Sequence, residues 1–402
     1  MTCKRKQAGY TGPYTNLNFW SVFNDSDYFA PIIADFEAQN PGLKINFKKL
    51  TIEEYEKSLL EAFAEGKGPD IFSISSAWLP RYLNRLYPAP KEMISLENFN
   101  EVFVDAGQDL IYQERIYALP LSLDTLALYY NVDLFNSKGI LNPPTSWDEF
   151  LKDVEKLTVL DEKGEIALAG AGIGAGKNIN RGTDILTVLM MQSGEKMSVD
   201  KTAPSFGQAG LDALKFYTDF TNPKKKAYTW NLLRDYSIDD FTQSNSAMMV
   251  NYHYHLPTIQ KKSPNLRFKI APLPQIDEAH KINYTIFWGE GVSINSKYKE
   301  EAWKFLIYLN SKDSARKYLT ASNRISPRRD LIEEQAKNPE LREFANQALT
   351  AKTWYQAGNP EVIENILTET IDSVVLGQKT AEQALKFAQE EIGNVFLQAK
   401  KP

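Results

Sequence analysis

Residues 117–150 read YALPLSLDTLALYYNVDLFNSKGILNPPTSWDEF. The apolar run up to residue 131 indicates a strand, and Pro120, which lacks an N–H for a central ladder, belongs at a strand start or a sheet edge. A glycine and two prolines then break the chain, and residues 145–149 carry the capping pattern of a helix N-terminus. Asp124 interrupts the apolar run. Because burying an unpaired charge is costly, we expect this carboxylate to face a polar cavity or a partner.

The segment before this stretch alternates strands with helices. Strand patterns fall on residues 17–22, 43–48 and 70–74, and helix patterns fall on residues 27–39 and 51–65. This alternation predicts an α/β fold with a largely parallel sheet, in which ligands bind beyond the carboxyl ends of the strands. Asp25, Ser76 and Trp78 follow two of those ends, so we treat them as candidate ligand contacts.

Several motifs recur in an order that extends along most of the chain. They are Asn18–Trp20, Gly68–Phe72, residues 117–150, Ser246–Met249, Ala271–Pro274, Trp288–Ile294, Ala302–Leu306 and Ser326–Leu331. In this order the chain resembles the family 1 extracellular solute-binding proteins, the sugar-binding components of ABC importers. The resemblance implies a two-lobed α/β fold of the periplasmic-binding-protein type (type II), with a ligand cleft between the lobes. It does not specify the ligand.

The expected organisation is a short tether followed by two discontinuous lobes. Residues 1–13 form the tether, residues 14–128 and 284–327 the N-terminal lobe, and residues 129–283 and 328–402 the C-terminal lobe. The hinge segments are expected at residues 129–131, 273–284 and 326–331, where the α/β pattern of one lobe gives way to that of the other. Several parallel crossings allow bending and restrict twisting, so we expect the lobes to move as rigid bodies.

The composition is that of an ordinary globular chain with a weak negative charge. Of the 402 residues, 43% are hydrophobic and 24% are charged, and the net charge is −5 at pH 7. This charge argues against nucleic acid or an anionic membrane as a partner. The expected partners are a carbohydrate ligand and the permease subunits of an ABC transporter. No cofactor and no metal are expected, and the protein is expected to be a monomer.

Cys3 is the only cysteine of the chain, so no internal disulfide framework exists. A polar segment follows it, as in a mature lipoprotein whose lipid-bearing cysteine remains after signal removal. Together with the family resemblance, this predicts a lipid anchor at Cys3 and an extracytoplasmic location, at the cell surface or in the periplasm. An ordinary N-terminal cysteine of a cytosolic protein is the alternative.

A glycine-rich stretch at residues 170–177, GAGIGAGK, suggests nucleotide binding at first sight. The P-loop pattern fails, because Ala171 and Asn178 occupy two of its required positions. A loose dinucleotide fingerprint fits, but polar residues separate the glycines from the next helix, so phosphate binding is not favoured. We expect instead a loop at the cleft mouth, where Asn180, Arg181 and Asp184 hydrogen-bond a polar ligand.

The sequence YHYH at residues 252–255 follows a predicted strand. In an extended segment His253 and His255 share one face, as two metal ligands do, but the sequence suggests no third ligand. We favour a loop at the strand end that offers Tyr252 and His253 to a ligand. Plain packing is the alternative.

Aromatic rings and carboxylates are the groups that suit a sugar ligand. The stacking candidates, all near turns, glycines or polar loops, are Trp78, Trp230, Trp288, Trp354 and Tyr355. Rings stack on the C–H faces of sugars, and Asp124 and Glu290 can each accept two hydroxyl donors. A glycosidase uses a similar carboxylate pair, but the sequence does not fix the separation of these two acids.

The expected function is therefore capture of a carbohydrate, an oligosaccharide in particular, and its delivery to an ABC permease. One alternative is a binding protein for another solute, such as glycerol phosphate, a polyamine or an iron chelate. The other is an extracellular glycan-cleaving enzyme. A receptor leaves its ligand intact, whereas an enzyme turns glycans over, so product analysis separates the two classes.

Overall fold

The structure is a computed structural model that describes residues 12–199, 203–354 and 356–399. Cys3 and Tyr355 lie outside the described residues. In this part of the chain no helix is both long and apolar enough to cross a membrane.

The helices and strands follow one another in chain order. Up to residue 122 they are β1 (Thr15–Val22), α1 (Ser26–Gln39), β2 (Leu43–Leu50), α2 (Ile52–Ala64), β3 (Ile71–Ser75), α3 (Leu79–Tyr82), β4 (Leu86–Tyr87), α4 (Leu96–Val102), β5 (Ile111–Tyr112), β6 (Arg115–Ile116) and β7 (Ala118–Ser122). Up to residue 284 they are β8 (Leu126–Asn131), α5 (Val132–Ser137), α6 (Trp147–Leu157), β9 (Val159–Leu160), β10 (Ile166–Leu168), α7 (Gly182–Gln192), β11 (Met197–Val199), β12 (Ala203–Ser205), α8 (Gln208–Asp219), α9 (Ser237–Thr242), β13 (Met248–Tyr252), α10 (Leu256–Lys262), β14 (Phe268–Ala271) and β15 (Asn283–Tyr284). The remainder are β16 (Trp288–Ser293), α11 (Lys299–Leu309), α12 (Lys312–Ser322), α13 (Arg329–Gln335), α14 (Arg342–Ala348), β17 (Ala351–Lys352), α15 (Pro360–Val375) and α16 (Ala381–Ala399).

The first lobe is built on a mixed sheet in the order β2-β1-β3-β16-β4, with β7 also paired to β16. Strands β1, β2 and β3 are parallel, as their strand–helix alternation predicted. Strand β16 runs antiparallel to β3, β4 and β7. Helices α1, α11 and α12 pack on this lobe through buried side chains such as Phe29, Trp303 and Tyr318. The sheet is therefore less parallel than expected, because its central strand returns from far along the chain.

The second lobe contains a three-stranded antiparallel sheet in the order β13-β8-β14. Its register pairs Met248 with Tyr130 and Tyr252 with Leu126 on one side of β8, and Phe268 with Asn131 on the other. Helices α6, α7, α8, α15 and α16 supply most of the large apolar core of this lobe. This packing fixes the ends of β13 and α7, which carry several candidate ligand contacts.

The chain passes between the sheets of the two lobes at residues 122–126 and 272–287, and we infer a third crossing at residues 323–328, which lies beside the first. The first and third are tied together, since the Leu123 N–H donates to the Ile325 carbonyl at 3.1 Å. The boundary and hinge predicted at residues 128–131 fall inside β8, all of which is paired in the sheet of the second lobe. The first crossing instead lies just before β8, around Asp124.

Candidate functional site

The turn after β1 forms part of the wall that the first lobe presents to the second. Phe23 has a φ of +64° and its ring is 43% exposed, with Trp288 edge-on at 5.6 Å between ring centroids. Asp25 is also exposed and forms an ion pair with Lys49 at 2.6 Å. The hydrogen bond from Lys49 lowers the pKa of Asp25 below its usual value. This wall thus offers an apolar ring face beside a carboxylate.

Arg324, on the third crossing, connects this wall with the second lobe. Its Nη2 donates to the Phe23 carbonyl at 3.2 Å. Burial raises the pKa of Asp124 and the Arg324 charge weakly opposes that shift, while burial lowers the pKa of His253 and the Arg324 charge adds to that shift. Its side chain therefore lies between the lobes, within electrostatic reach of both walls. The sequence reasoning did not select this residue; its only signal was a basic side chain two residues before the predicted hinge segment at residues 326–331.

Asp124 lies on the first crossing and ties it to the end of β13. Its Oδ1 accepts the N–H groups of Thr125 at 2.8 Å and His253 at 2.9 Å, and its Oδ2 accepts the Tyr254 N–H at 2.9 Å. Burial raises the pKa of this carboxyl to about 7, although the backbone hydrogen bonds oppose the shift. The expectation of a polar surrounding or partner is met by main-chain donors. One lone pair of Oδ2 stays available to a further donor.

Residues 253–255 form a short 3₁₀ turn and are not extended. The expectation that Tyr252 and His253 face a ligand therefore needs correction. Tyr252 and His253 are 3% and 4% exposed, whereas Tyr254 is 43% exposed. Burial lowers the pKa of His253 to about 4, and the Nε2 atoms of both His253 and His255 have no hydrogen-bond partner within the described residues. The turn presents Tyr254 outward, which the assumed strand periodicity missed.

Arg181 pairs with that exposed tyrosine. Its Nε and Nη2 donate to the Tyr254 hydroxyl at 2.8 and 2.6 Å, and Arg181 itself has a φ of +60° just before α7. Next to it, the Asn180 amide nitrogen donates to the Tyr236 hydroxyl at 2.7 Å, while the Asn180 Oδ1 has no partner within the described residues. A non-glycine residue held at positive φ costs energy and often marks a functional position.

Asp184 supports this wall from within. Its carboxylate is buried and accepts the Tyr252 hydroxyl at 3.0 Å. Burial raises the pKa of Asp184 to about 6, and the Arg181 charge opposes that shift. The expectation of direct ligand contact is replaced by an internal role, because the carboxylate is already buried and bonded.

Trp78 bridges the two lobes, where direct stacking on a ligand was expected. Its Nε1 donates to Glu361 Oε1 at 2.9 Å, which joins the first lobe to the start of α15. One ring face stacks on Tyr82 at 5.8 Å and the edge meets Trp288 at 5.0 Å. Since the indole is 4% exposed, it has no free face for a ligand in this arrangement.

A cavity of about 320 Å³ lies beside this bridge and is lined by both lobes. Two of the predicted contacts, Ser76 and Trp354, are in its wall, together with Leu79, Tyr284 and Ile286. Both predicted residues are largely buried, and the Gln356 amide oxygen near them has no hydrogen-bond partner within the described residues. The structure therefore places Ser76 and Trp354 together in one cavity, and the rings of Phe23 and Tyr254 are not part of its lining.

Trp230 belongs to the core of the second lobe and is completely buried. Its Nε1 donates to the Asn178 side chain at 3.1 Å, and the Arg234 guanidinium lies 5.1 Å above the ring. The expectation that Trp230 stacks on a ligand is not retained, because both its polar atom and its faces are occupied internally. The polar residues around it were mistaken for an exposed loop.

Glu290 lies inside the first lobe at 2% exposure. Ser73 Oγ is 2.9 and 2.8 Å from its two carboxyl oxygens, and burial raises its pKa to about 8. The expectation that it binds hydroxyls of a ligand is therefore corrected, since the side chain points into the sheet core. A catalytic pair with Asp124 is disfavoured for the same reason, because a glycosidase needs both carboxyl groups at the scissile bond.

The glycine-rich stretch is part of the interior and does not form the cleft mouth. A Cβ on Gly170 would lie 2.6 Å from the Val154 carbonyl, so the chain passes too close for a side chain. The N–H groups of Gly176 and Lys177 donate to the two Asp372 carboxylate oxygens at 2.7 and 3.2 Å. An internal carboxylate thus takes the place that an anionic ligand would occupy.

No group of three or more metal-binding side chains comes together among the residues that the structure describes. The His253 and His255 pair accordingly finds no third protein ligand in that part of the chain.

Comparison with known proteins complements this geometry. Residues 31–343 match the family model described as bacterial extracellular solute-binding protein. A binding protein of Brucella abortus is 28% identical over 375 residues, which cover 90% of this chain and 88% of the relative. The maltotriose-binding protein of Pyrococcus abyssi is 24% identical and is matched over 79% of this chain and 66% of its own length.

The chain belongs to the family of bacterial extracellular solute-binding proteins. Among solved structures, the cyclic alpha-maltosyl-1,6-maltose binding protein of Arthrobacter globiformis superposes with a TM-score of 0.81 at 18% identity, over 96% of this chain and 99% of that one. This similarity confirms the predicted two-lobed fold of the maltose-binding type.

Proposed function

We propose that this solute-binding protein captures a neutral oligosaccharide between its lobes and delivers it intact to an ABC permease. The observation that carries the proposal is the pairing of exposed aromatic rings with polar side-chain atoms that have no hydrogen-bond partner in the described part of the chain. Phe23 and Trp288 supply rings on one wall, and Tyr236 and Tyr254 supply rings on the other. Sugar rings present C–H faces and hydroxyl groups together, so they suit a site of this kind.

The proposed ligand contacts include residues expected from the sequence and residues that only the structure indicated. They are Phe23, Asp25, Asp124, Asn180, Arg181, Tyr236, Tyr254, His255, Trp288 and Arg324. Asp124 and Asn180 offer acceptor positions, the Nε2 of His255 accepts or donates according to its tautomer, and Arg181 and Arg324 offer donors. Ser76 and Trp354 extend the proposed site into the neighbouring cavity. The names of relatives, such as the maltotriose-binding protein and the multiple sugar-binding protein of Streptococcus mutans, support a sugar as the ligand class.

The extracytoplasmic location of the protein and its lipid anchor are proposed from the family as well. The family is extracellular, which supports an extracytoplasmic position for this chain. A lipid at Cys3 and a monomeric state remain part of the proposal. Mass spectrometry of the membrane-associated protein tests the lipid, and light scattering tests the monomer.

Binding without turnover is the first expected result. Isothermal titration with maltotriose, cellotriose, chitobiose and tagatose should give saturable binding for at least one sugar, and chromatography afterwards should recover that sugar unchanged. Glycerol phosphate, spermidine and ferric citrate serve as controls for the other solute classes. Cleaved product at a catalytic rate, or binding confined to one of the controls, would contradict the proposed function.

Loss of a stacking ring should weaken binding and leave the fold intact. Trp288→Ala and Tyr254→Ala are each expected to lose about 1–3 kcal/mol of binding free energy, since both rings are partly exposed and face the site. Tyr298→Ala, which removes an exposed ring at the start of α11, is the matched control and should leave the affinity unchanged. Equal affinities in all three variants, with unchanged circular dichroism, would show that the site is misplaced.

Ligand binding should also close the cleft. Solution scattering is expected to show a smaller radius of gyration with saturating ligand and unchanged secondary structure, because the lobes rotate about three crossings. Trp78→Phe breaks the inter-lobe bond to Glu361 and should enlarge the ligand-free radius of gyration. If the wild type and Trp78→Phe each give the same scattering profile with and without ligand, and the two proteins do not differ, the closing mechanism is wrong.

A further inference from the structure

Glu290 occupies an unusual position for a charged residue type. It lies on β16, the strand at the middle of the first-lobe sheet, and it is almost fully buried. Within the described residues it forms no ion pair, and its hydrogen-bonding surroundings are the hydroxyls of Ser73 and Ser21. A buried carboxyl without a cation is costly in its ionised form, so the neutral acid is the form that this site favours.

Hydrogen bonds lead from this carboxyl to the carboxyl end of β1. Ser73 Oγ lies 2.9 Å from Ser21 Oγ, and the Asn24 amide nitrogen donates to Ser21 Oγ at 3.1 Å. The Tyr318 hydroxyl donates to Asn24 Oδ1 at 2.7 Å, which holds the amide from the side of α12. The chain of contacts is buried along its length. It joins the centre of the sheet to the turn that bears the exposed ring of Phe23.

The donor and acceptor roles along this chain of hydrogen bonds depend on whether Glu290 carries a proton. The neutral acid can donate to Ser73, Ser73 to Ser21, and Ser21 to the Val22 carbonyl, which lies 3.4 Å away. An ionised Glu290 accepts from Ser73 and also from Ser21, since both hydroxyls are hydrogen-bond partners of its carboxyl group. The hydroxyl of Ser21 thereby leaves the main chain of β1 just before the Phe23 turn. Protonation of one buried group thus selects the hydrogen bonding at the edge of the candidate site.

We propose that Glu290 is a positioning residue, whose neutral carboxyl group orients the Ser73–Ser21–Asn24 chain and so holds the Phe23 turn in the form that binds ligand. The proposal rests on the proposed function, because it assigns the Phe23 turn to the ligand site. It gives the glutamate a role without ligand contact. It also makes the affinity for ligand fall at high pH, when the carboxyl ionises.

Other titratable groups near this chain are accounted for. Tyr55 on α2 and Tyr318 on α12 face Glu290, and burial raises the pKa of each hydroxyl above 10, so they stay neutral in this pH range. The strands beside β16 contribute the hydroxyl of Ser73 and apolar groups such as Leu86 and Ala118. Asp124 titrates across the cleft near pH 7 and belongs to a separate step that both variants below retain.

The test compares the wild type with Glu290→Gln between pH 6 and pH 9.5. The first readout needs no ligand: the fluorescence of Trp288, which touches Phe23, is obtained as the difference between each protein and its Trp288→Phe counterpart. In the wild type this signal should change with a midpoint near pH 8, and in Glu290→Gln the step should be absent. Glu343→Gln removes a half-buried carboxyl of the second lobe and should keep the wild-type profile.

The second readout is the affinity for maltotriose, or for whichever sugar of the panel binds, over the same pH range. The wild type should lose about tenfold in affinity across the step near pH 8, and Glu290→Gln should not. If the fluorescence step is present but no sugar binds, the positioning role stands and the proposed function fails. Identical pH profiles for the wild type and Glu290→Gln in fluorescence would overturn the positioning role, whatever the sugar result.

Discussion

Replacing Trp230 with alanine is expected to lower the free energy of unfolding by about 3–5 kcal/mol, the range typical of a fully buried indole. The ring is completely buried among the helices of the second lobe. Its removal leaves a cavity and also leaves the Asn178 amide oxygen without its indole donor. Because Asn178 holds the carbonyls of Asn231 and Arg234 through its other amide atom, the loop between α8 and α9 should loosen as well.

Urea-induced unfolding followed by circular dichroism measures this effect. Trp288→Ala is the comparison, since its partly exposed ring should cost much less stability and more ligand affinity. If Trp230→Ala instead keeps its stability and loses ligand binding, Trp230 belongs to the ligand site and the prediction of a core role is wrong.

Asp124→Ala should have the second-largest effect, because it acts on stability and on ligand binding together. The substitution leaves the N–H groups of Thr125, His253 and Tyr254 without their acceptor. Each buried donor left unpaired costs about 1–3 kcal/mol, and some will find water, so we expect a total loss of about 2–4 kcal/mol. Ligand affinity should fall by more than tenfold, by analogy with the loss of a charged hydrogen-bond partner.

The matched control is Asp133→Ala, an exposed carboxylate at the start of α5 that pairs with Arg267. It should change the midpoint of thermal unfolding little, because exposed ion pairs contribute little. If Asp124→Ala and Asp133→Ala behave alike in unfolding and in titration, Asp124 does not tie the crossing to the second lobe.

Asp124 also gives the stability a defined pH dependence. Its pKa is raised from 3.8 to about 7, so the folded state binds a proton more tightly than the unfolded chain does. The stability contribution of this group is therefore complete below about pH 4 and is lost as the pH rises to about 7. In Asp124→Asn that decline should be absent, whatever its stability at low pH.

The fold was largely predictable because its signals are local and ordered along the chain. The alternation of strands and helices up to residue 75 is set by side-chain periodicity, and β1, β2 and β3 form as expected. Asp124 was predictable for a related reason, since an acid inside an apolar run must find partners. Nothing local indicated that β16 would insert between β3 and β4, because strand neighbours depend on contacts distant in sequence.

The candidate site was harder to predict, because a small change in local backbone conformation decides which side chain is exposed. A 3₁₀ turn at residues 253–255 in place of extended chain exchanges the roles of Tyr252 and Tyr254, burying the first and exposing the second. Trp230 and Glu290 looked accessible because polar or small residues flank them, yet neighbouring strands and helices cover both. Arg324 escaped notice because a single arginine carries no pattern, and only the crossing brings it between the lobes.

The central place of β16 has a consequence for the order in which the protein can fold. Glu290 and its partner Ser73 are 217 residues apart in the sequence, yet they are neighbours in one sheet. A ribosome therefore releases β3, β4 and β7 long before the strand that joins them exists, and the edges of these strands stay unpaired meanwhile. Contacts this distant slow folding, since a long loop must close before they form. The first lobe to be synthesised must therefore wait for β16, which favours a nascent first lobe that remains incompletely folded until residues 288–293 have been released.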